Sequence, residues 1–190
     1  MQQIDESILF FLNGMHNTYF DAFFWCGTNM LTYIPLYLIV FWLLYKQYGN
    51  KIWLPILFII LTVVLTDQIV NLIKGNVQRL RPTRNPDIAP FIHTVNGYRG
   101  GQFSFPSGHA CNTFGMAVFL YRIIAPKHLL LTIALFAWAV IMAYSRIYLG
   151  VHFPGDVLVG ALLGSLLGFL MSKLFYKTKN TLPTSVKTPS

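Results

Sequence analysis

The chain has 190 residues, 55% of them hydrophobic and only 11% charged, with a net charge of +8 and a mean hydropathy of +0.55. A soluble domain of this length carries about twice that charged fraction, which excludes an ordinary soluble fold and points to an integral membrane protein. The positive balance then reads as cytoplasmic loop bias and an anion site, and no nucleic-acid partner is expected.

In chain order, Asp5 and Glu6 stand where a secretory signal needs Lys or Arg, so the N-terminus is not read as a signal peptide. Residues 4–13 are apolar but too short to span, with acids on one side, and predict a helix lying at the membrane interface. A first span is expected over about 24–45, bent near Pro35, followed by a turn with Lys46 and Lys51. A second runs over about 52–73 and ends at Lys74. Residues 75–105 are rich in Gly, Pro, Asn and Arg, and so long a segment without apolar periodicity reads as a functional loop. A third span opens at Pro106 and reaches about 124, a fourth covers about 128–147, and a fifth runs from near Pro154 to about Tyr176. Residues 177–190 predict a polar, disordered cytoplasmic tail behind a single membrane domain of residues 1–176. The fold class is therefore all-α, a polytopic bundle of about five spans plus the interfacial helix. Cys26 and Cys111 fall in apolar segments and read as packed small hydrophobes, not a disulfide.

Three short motifs break this apolar pattern: Lys74-x6-Arg81-Pro82, Pro106-Ser107-Gly108-His109, and Ser145-Arg146-x5-His152-x3-Asp156. With five spans, all of them fall at span ends on one membrane face, although they lie up to about 80 residues apart. The opposite face then holds eight cations, Lys46, Lys51, Arg122, Lys127, Lys173, Lys177, Lys179 and Lys187, and no Lys or Arg precedes position 46. The positive-inside rule puts the C-terminus in the cytoplasm and the motif face on the outer side of the inner membrane.

The residue types suit phosphate chemistry. Lys74, Arg81 and Arg146 are cations for the non-bridging oxygens, paired donors from arginine and a point charge from lysine. One such residue alone reads as a snorkelling interfacial cation, but three at convergent ends do not. Ser107 and Gly108 open a helix whose free N–H groups can face an anion. His152 and Asp156 are four apart, so the carboxylate can orient the imidazole and leave its other nitrogen as nucleophile. His109, on another element, can protonate the leaving oxygen and then activate water. Zinc, the competing use of two histidines and a carboxylate, is disfavoured because the three cations would repel it, so no metal and no cofactor is expected.

These motifs resemble the signature of the type 2 phosphatidic acid phosphatase family, which includes glucose-6-phosphatase and the vanadium haloperoxidases, and match it at all eleven positions over roughly residues 60–172. The resemblance implies His152 as nucleophile, passing through a phosphohistidine, with Asp156 as its partner and His109 as the acid. It implies Lys74, Arg81, Ser107, Gly108 and Arg146 as the phosphate-binding set, and no metal. A sixth span found in some small bacterial members is missing, and the N-terminal helix takes its place.

The expected function is an integral membrane phosphatase acting on a lipid phosphate or diphosphate: undecaprenyl diphosphate, phosphatidylglycerol phosphate, phosphatidate or lipid A. Arg79, Arg84 and Arg99 in the loop tilt this towards diphosphates. The alternatives are a lipid phosphotransferase using the same site and a non-catalytic anion-binding or transport bundle. A haloperoxidase is set aside because those enzymes are soluble. Asp67, Asn71 and Lys74 share one face of the second span, and an ionisable residue there is a functional suspect. Gly160, Gly164 and Gly168 form a stripe that predicts close helix packing.

Overall fold

The computed structural model describes residues 2–27, 30–124 and 128–181. Seven α-helices appear among them: α1 Gln2–Gly14, α2 Thr18–Cys26, α3 Ile34–Tyr48, α4 Trp53–Val77, α5 Gly108–Ile123, α6 Leu129–Tyr148 and α7 Pro154–Thr181. No strand forms among the described residues, only one antiparallel bridge, Leu80 to Phe103. The architecture is all-α.

α4, α6 and α7 are long and apolar enough to cross a membrane. The region expected as the first span is instead a bent pair, with Thr18–Cys26 and Leu31–Lys51 meeting at 78°. Pro35 does not bend it. It sits in the first turn of α3, where its missing N–H costs no helical hydrogen bond. α5 is 16 residues long, about 24 Å at 1.5 Å per residue, and so shorter than a full bilayer core. α7 continues past the expected end at Tyr176 to Thr181, and the remaining tail, residues 182–190, lies outside the described residues.

α7 shows how the bundle is held. Its glycines face α5 so closely that a Cβ on Gly164 would strike the Cys111 carbonyl, and one on Gly168 the Gly115 carbonyl. The backbones meet because no side chain stands between them. On the opposite stripe Leu158, Leu162, Leu166, Leu170 and Leu174 are exposed, spaced four apart as a lipid-facing row. Phe175 lies fully buried among Tyr48, Phe58 and Phe119, edge to face with each at 5.5–6.0 Å.

At the far end of the bundle three helix termini are tied together by hydrogen bonds. Gln47 and Tyr48 donate to the Ile123 carbonyl and Tyr176 to that of Arg122, which gathers the ends of α3, α5 and α7. α1 packs at the other end, against α6 and α7. Its Leu9 and Asn13 are buried, and Asn13 Nδ2 donates to the Tyr148 carbonyl at 2.7 Å. This helix is part of the site-bearing end, with Asp5 turned into the protein. Cys111 is buried as expected, whereas Cys26 is exposed near the end of α2, and both are free thiols.

Candidate active site

Packing of α4 through α7 brings the motif residues to one end of a cavity of about 850 Å³. Lys74, Arg81, Gly108, His109 and His152 stand on its wall, and mostly apolar side chains of α3, α4, α5 and α6 line the rest. Ser107 and Asp156 lie behind that wall, fully buried, with Arg146 buried close by.

Each motif residue is placed by local structure. Lys74 sits on the last full turn of α4, which Gln78 ends with a left-handed φ of 51°. Arg81 opens the Pro82–Arg84 3-10 turn, and its Nε donates to the Phe103 carbonyl at 3.2 Å. Gly100 lets the loop pass close to Arg81: its φ is +62°, and a Cβ there would collide with the guanidinium. Ser107 caps α5, its hydroxyl accepting from Ala110 N–H, while its own N–H donates to the Asp156 carbonyl at 2.9 Å. The N–H of Ser107 is thus engaged within the protein, while its hydroxyl accepts one bond and keeps its own hydrogen to donate; Gly108 and His109 carry the open first turn of α5 towards the cavity. Arg146 Nε donates to Ser145 Oγ at 3.0 Å. Its Nη2 is buried without a hydrogen-bond partner among the described residues, a donor suited to an anion.

The His152–Asp156 pair departs from the geometry expected of two residues within one helical turn. α7 starts at Pro154, so His152 lies in the preceding loop. Its Nδ1 is 3.5 Å from Asp156 Oδ2 and makes no hydrogen bond. That oxygen accepts the Phe153 N–H at 2.9 Å instead. Asp156 Oδ1 takes a 2.7 Å bond from Arg79 Nη1, and Arg79 Nη2 gives a second 2.7 Å bond to Asp5 Oδ2. Asp5 Oδ1 accepts the Gly155 N–H at 2.7 Å, and the Arg79 guanidinium lies 3.7 Å above the Phe153 ring. Sequence reasoning missed Asp5 as a neighbour of the site and read Arg79 as a loop arginine for a second phosphate; the signal for Asp5 was the pair of acids, Asp5 and Glu6, in the N-terminal helix.

These contacts engage Arg79, one of the three loop arginines expected to meet a second phosphate, within the protein. Arg79 is committed to two carboxylates, and Arg84 Nη2 donates to the Gly100 carbonyl at 3.1 Å. Burial is the main influence on His152; Asp156 opposes it, Arg81 and Lys74 add to it, and the imidazole falls to about 4. At neutral pH it is uncharged, with Nδ1 towards Asp156 and Nε2 available for nucleophilic attack. Among the described residues no group of three or more His, Cys, Asp or Glu side chains is arranged to hold a metal ion.

Over residues 52–180, which contain all three motifs, the sequence matches the PAP2 superfamily. The chain belongs to that family. This PAP2 protein is 37% identical, over its whole length and 84% of the relative's, to the lipid A 4'-phosphatase of Bacteroides thetaiotaomicron. It is 36% identical to phosphatidylglycerophosphatase B of Bacillus subtilis, over 64% of this chain and 59% of that one. The structure resembles the PAP2-type phosphatidylglycerolphosphate phosphatase of Bacillus subtilis with a TM-score of 0.72 and 28% identity, covering 95% of this chain and 89% of that one. It resembles Aquifex aeolicus LpxE with a TM-score of 0.66 and 27% identity, covering 88% and 93%. With these relatives, the PAP2 chain is a multi-pass membrane protein and a hydrolase of phosphate esters.

Proposed function

We propose that this protein removes a phosphate from the headgroup of a membrane lipid through a phosphohistidine at His152. One observation carries the reading: a single cavity joins a cation-and-histidine end to walls of apolar helix, matching a phosphate joined to hydrocarbon. In the first step His152 Nε2 attacks phosphorus while the bond to the lipid oxygen breaks, and His109 gives its proton to that oxygen. The dianionic phosphate supplies the negative charge against which His109 carries that proton. In the second step His109 takes a proton from water, the water oxygen attacks phosphorus, and the P–N bond breaks to release phosphate and regenerate His152. Lys74, Arg81 and Arg146 stabilise the charge on the equatorial oxygens throughout, and the first turn of α5 at Gly108 adds N–H donors. Ser107 and Asp156 hold the two helix starts in register by the bond between them. Three fixed cations supply the charge stabilisation a metal gives elsewhere, so no metal takes part.

The relatives named for lipid A and phosphatidylglycerophosphate support lipid monophosphates as the substrate class. Purified protein should release inorganic phosphate from such a lipid, and labelled lipid should leave an alkali-stable phosphoenzyme that is absent in His152→Ala. Turnover in that variant above about 10⁻³ of the wild-type rate would overturn the nucleophile assignment.

The cation count supports a site on the outer face of the inner membrane with the C-terminus in the cytoplasm. In a background lacking Cys26 and Cys111, Asn96→Cys should react with an impermeant thiol reagent on intact cells, and Thr184→Cys only after lysis. The reverse pattern would put the site on the cytoplasmic leaflet.

A further inference from the structure

Beyond the phosphate-facing groups the cavity wall carries a polar patch that the chemistry above leaves unused. Asp67 and Asn71 of α4 line the cavity beside Asn112 and Thr113 of α5. Asn112 Nδ2 donates to Asp67 Oδ1 at 2.8 Å, and Asn112 Oδ1 makes a short contact with the buried Thr66 hydroxyl. The contact with Thr66 orients the amide. Asp67 Oδ2 takes no hydrogen bond from the described residues, and Asn112 has a second amide hydrogen to give.

The depth of the patch is set by the two helices. Asp67 lies seven residues before Lys74, about 10 Å along the axis, and Asn112 three residues beyond His109, about 4.5 Å. The pair therefore sits some 5–10 Å below the phosphate-facing groups, the reach of a glycerol or one sugar ring. A carboxylate at membrane depth is costly, and a neutral side chain would serve as well to hold Asn112. A prenyl chain has no hydrogen to donate to Asp67. The second phosphate of a diphosphate would enter the same cavity as a carboxylate, with like charges opposed.

We propose that Asp67 and Asn112 form a subsite for the alcohol half of the substrate, accepting a hydrogen bond from a hydroxyl or amide N–H one glycerol or sugar unit away from the scissile phosphate. The proposal rests on reading the adjoining site as a lipid phosphatase. It narrows the substrate to monoesters of hydroxyl- or amide-bearing lipids and away from prenyl diphosphates.

The test uses purified full-length protein in nanodiscs and matched lipids. One pair is phosphatidylglycerol phosphate and its analogue with the free glycerol hydroxyl methylated. The other is an acylated glucosamine 4-phosphate and its N-methyl amide, and a prenyl diphosphate completes the panel. For at least one pair, wild-type kcat/KM should be about tenfold or more higher with the donor present, and Asp67→Asn should shrink that ratio at least about fivefold. Asn112→Ala should shrink the same ratio, and it decides the question if Asp67→Asn fails to insert. A wild-type ratio near one for both pairs, an unchanged ratio in the variants, or faster turnover of the diphosphate would overturn the subsite while leaving the phosphatase reading intact. Phosphate release from none of the lipids would overturn the phosphatase reading and the subsite with it.

Discussion

On the side of His152 that faces α1, the charges are paired off within the protein; on the side that faces the cavity, they are not. Asp156, Arg79 and Asp5 form a chain of 2.7 Å bonds anchored on the backbone N–H groups of Phe153 and Gly155. Across the imidazole, Lys74, Arg81 and His109 line the cavity, and Arg146 keeps a buried nitrogen without a hydrogen-bond partner among the described residues. A buried carboxylate such as Asp156 survives only with compensation, and Arg79 supplies it. Cations left facing a low-dielectric cavity are held for a charge that arrives with the substrate. In the proposed mechanism one side builds the nucleophile's position and the other its electrophile's environment.

Substitutions on the two sides should therefore fail differently. On the cavity side Arg81→Ala should lower kcat/KM by about 10²–10³, because it removes paired donors from the transferring phosphoryl group. Its pH profile should keep the wild-type shape. A loss under fivefold would place Arg81 outside the phosphate-binding set.

On the paired side the effects should be smaller but should move the pH profile. Lys74, Arg81, Arg146 and His109 bear on His152 from the cavity side, and Asp156 and Arg79 from the other. Activity needs neutral His152, so kcat/KM falls as pH drops through its pKa, which burial has set at about 4. Arg79→Gln leaves Asp156 without its cation, which favours the His152 imidazolium, so the acid limb should move to higher pH with about a tenfold loss of rate. Asp5→Asn leaves Arg79 to Asp156 alone, so the limb should stay or move lower, with a loss of only two- to threefold. Shifts in the same direction for both variants would reduce α1 to a packing element. Arg79→Lys should recover part of the loss, since one of the two bonds can re-form.

The smallest expected effect is none at all. Excess chelator should leave the rate unchanged, while vanadate, five-coordinate like the transferring phosphoryl group, should inhibit competitively. Loss of activity in chelator with recovery on adding a divalent ion would mean that the cavity-side cations are not sufficient.

Much of the bundle was legible from the residue pattern. The expected spans at 52–73, 128–147 and 154–176 correspond to α4, α6 and α7, with the largest differences at C-termini where helices run on past the apolar stretch. The region before residue 50 was not legible, because hydropathy is nearly continuous through α2 and α3 and does not register the 78° break. The four-residue spacing also read His152 and Asp156 as lying within one helical turn. Pro154 opens α7 instead, so the pair with Asp156 straddles a helix start and Nδ1 lies at 3.5 Å.

The sequence by itself determined that the chain lives in a membrane and that it carries the motifs of the PAP2 family. Both are local properties: hydropathy over about 20 residues marks a span, and fixed spacing within each motif marks the site. The tertiary structure decided what surrounds those residues. Asp5 meets Arg79 across 74 positions and Asn112 meets Asp67 across 45, and neither pair has a spacing that local rules can read. They exist because glycines let α5 and α7 close on each other and because Leu9 and Asn13 seat α1 against the end of α6, so the packing of backbones determines which charges become neighbours.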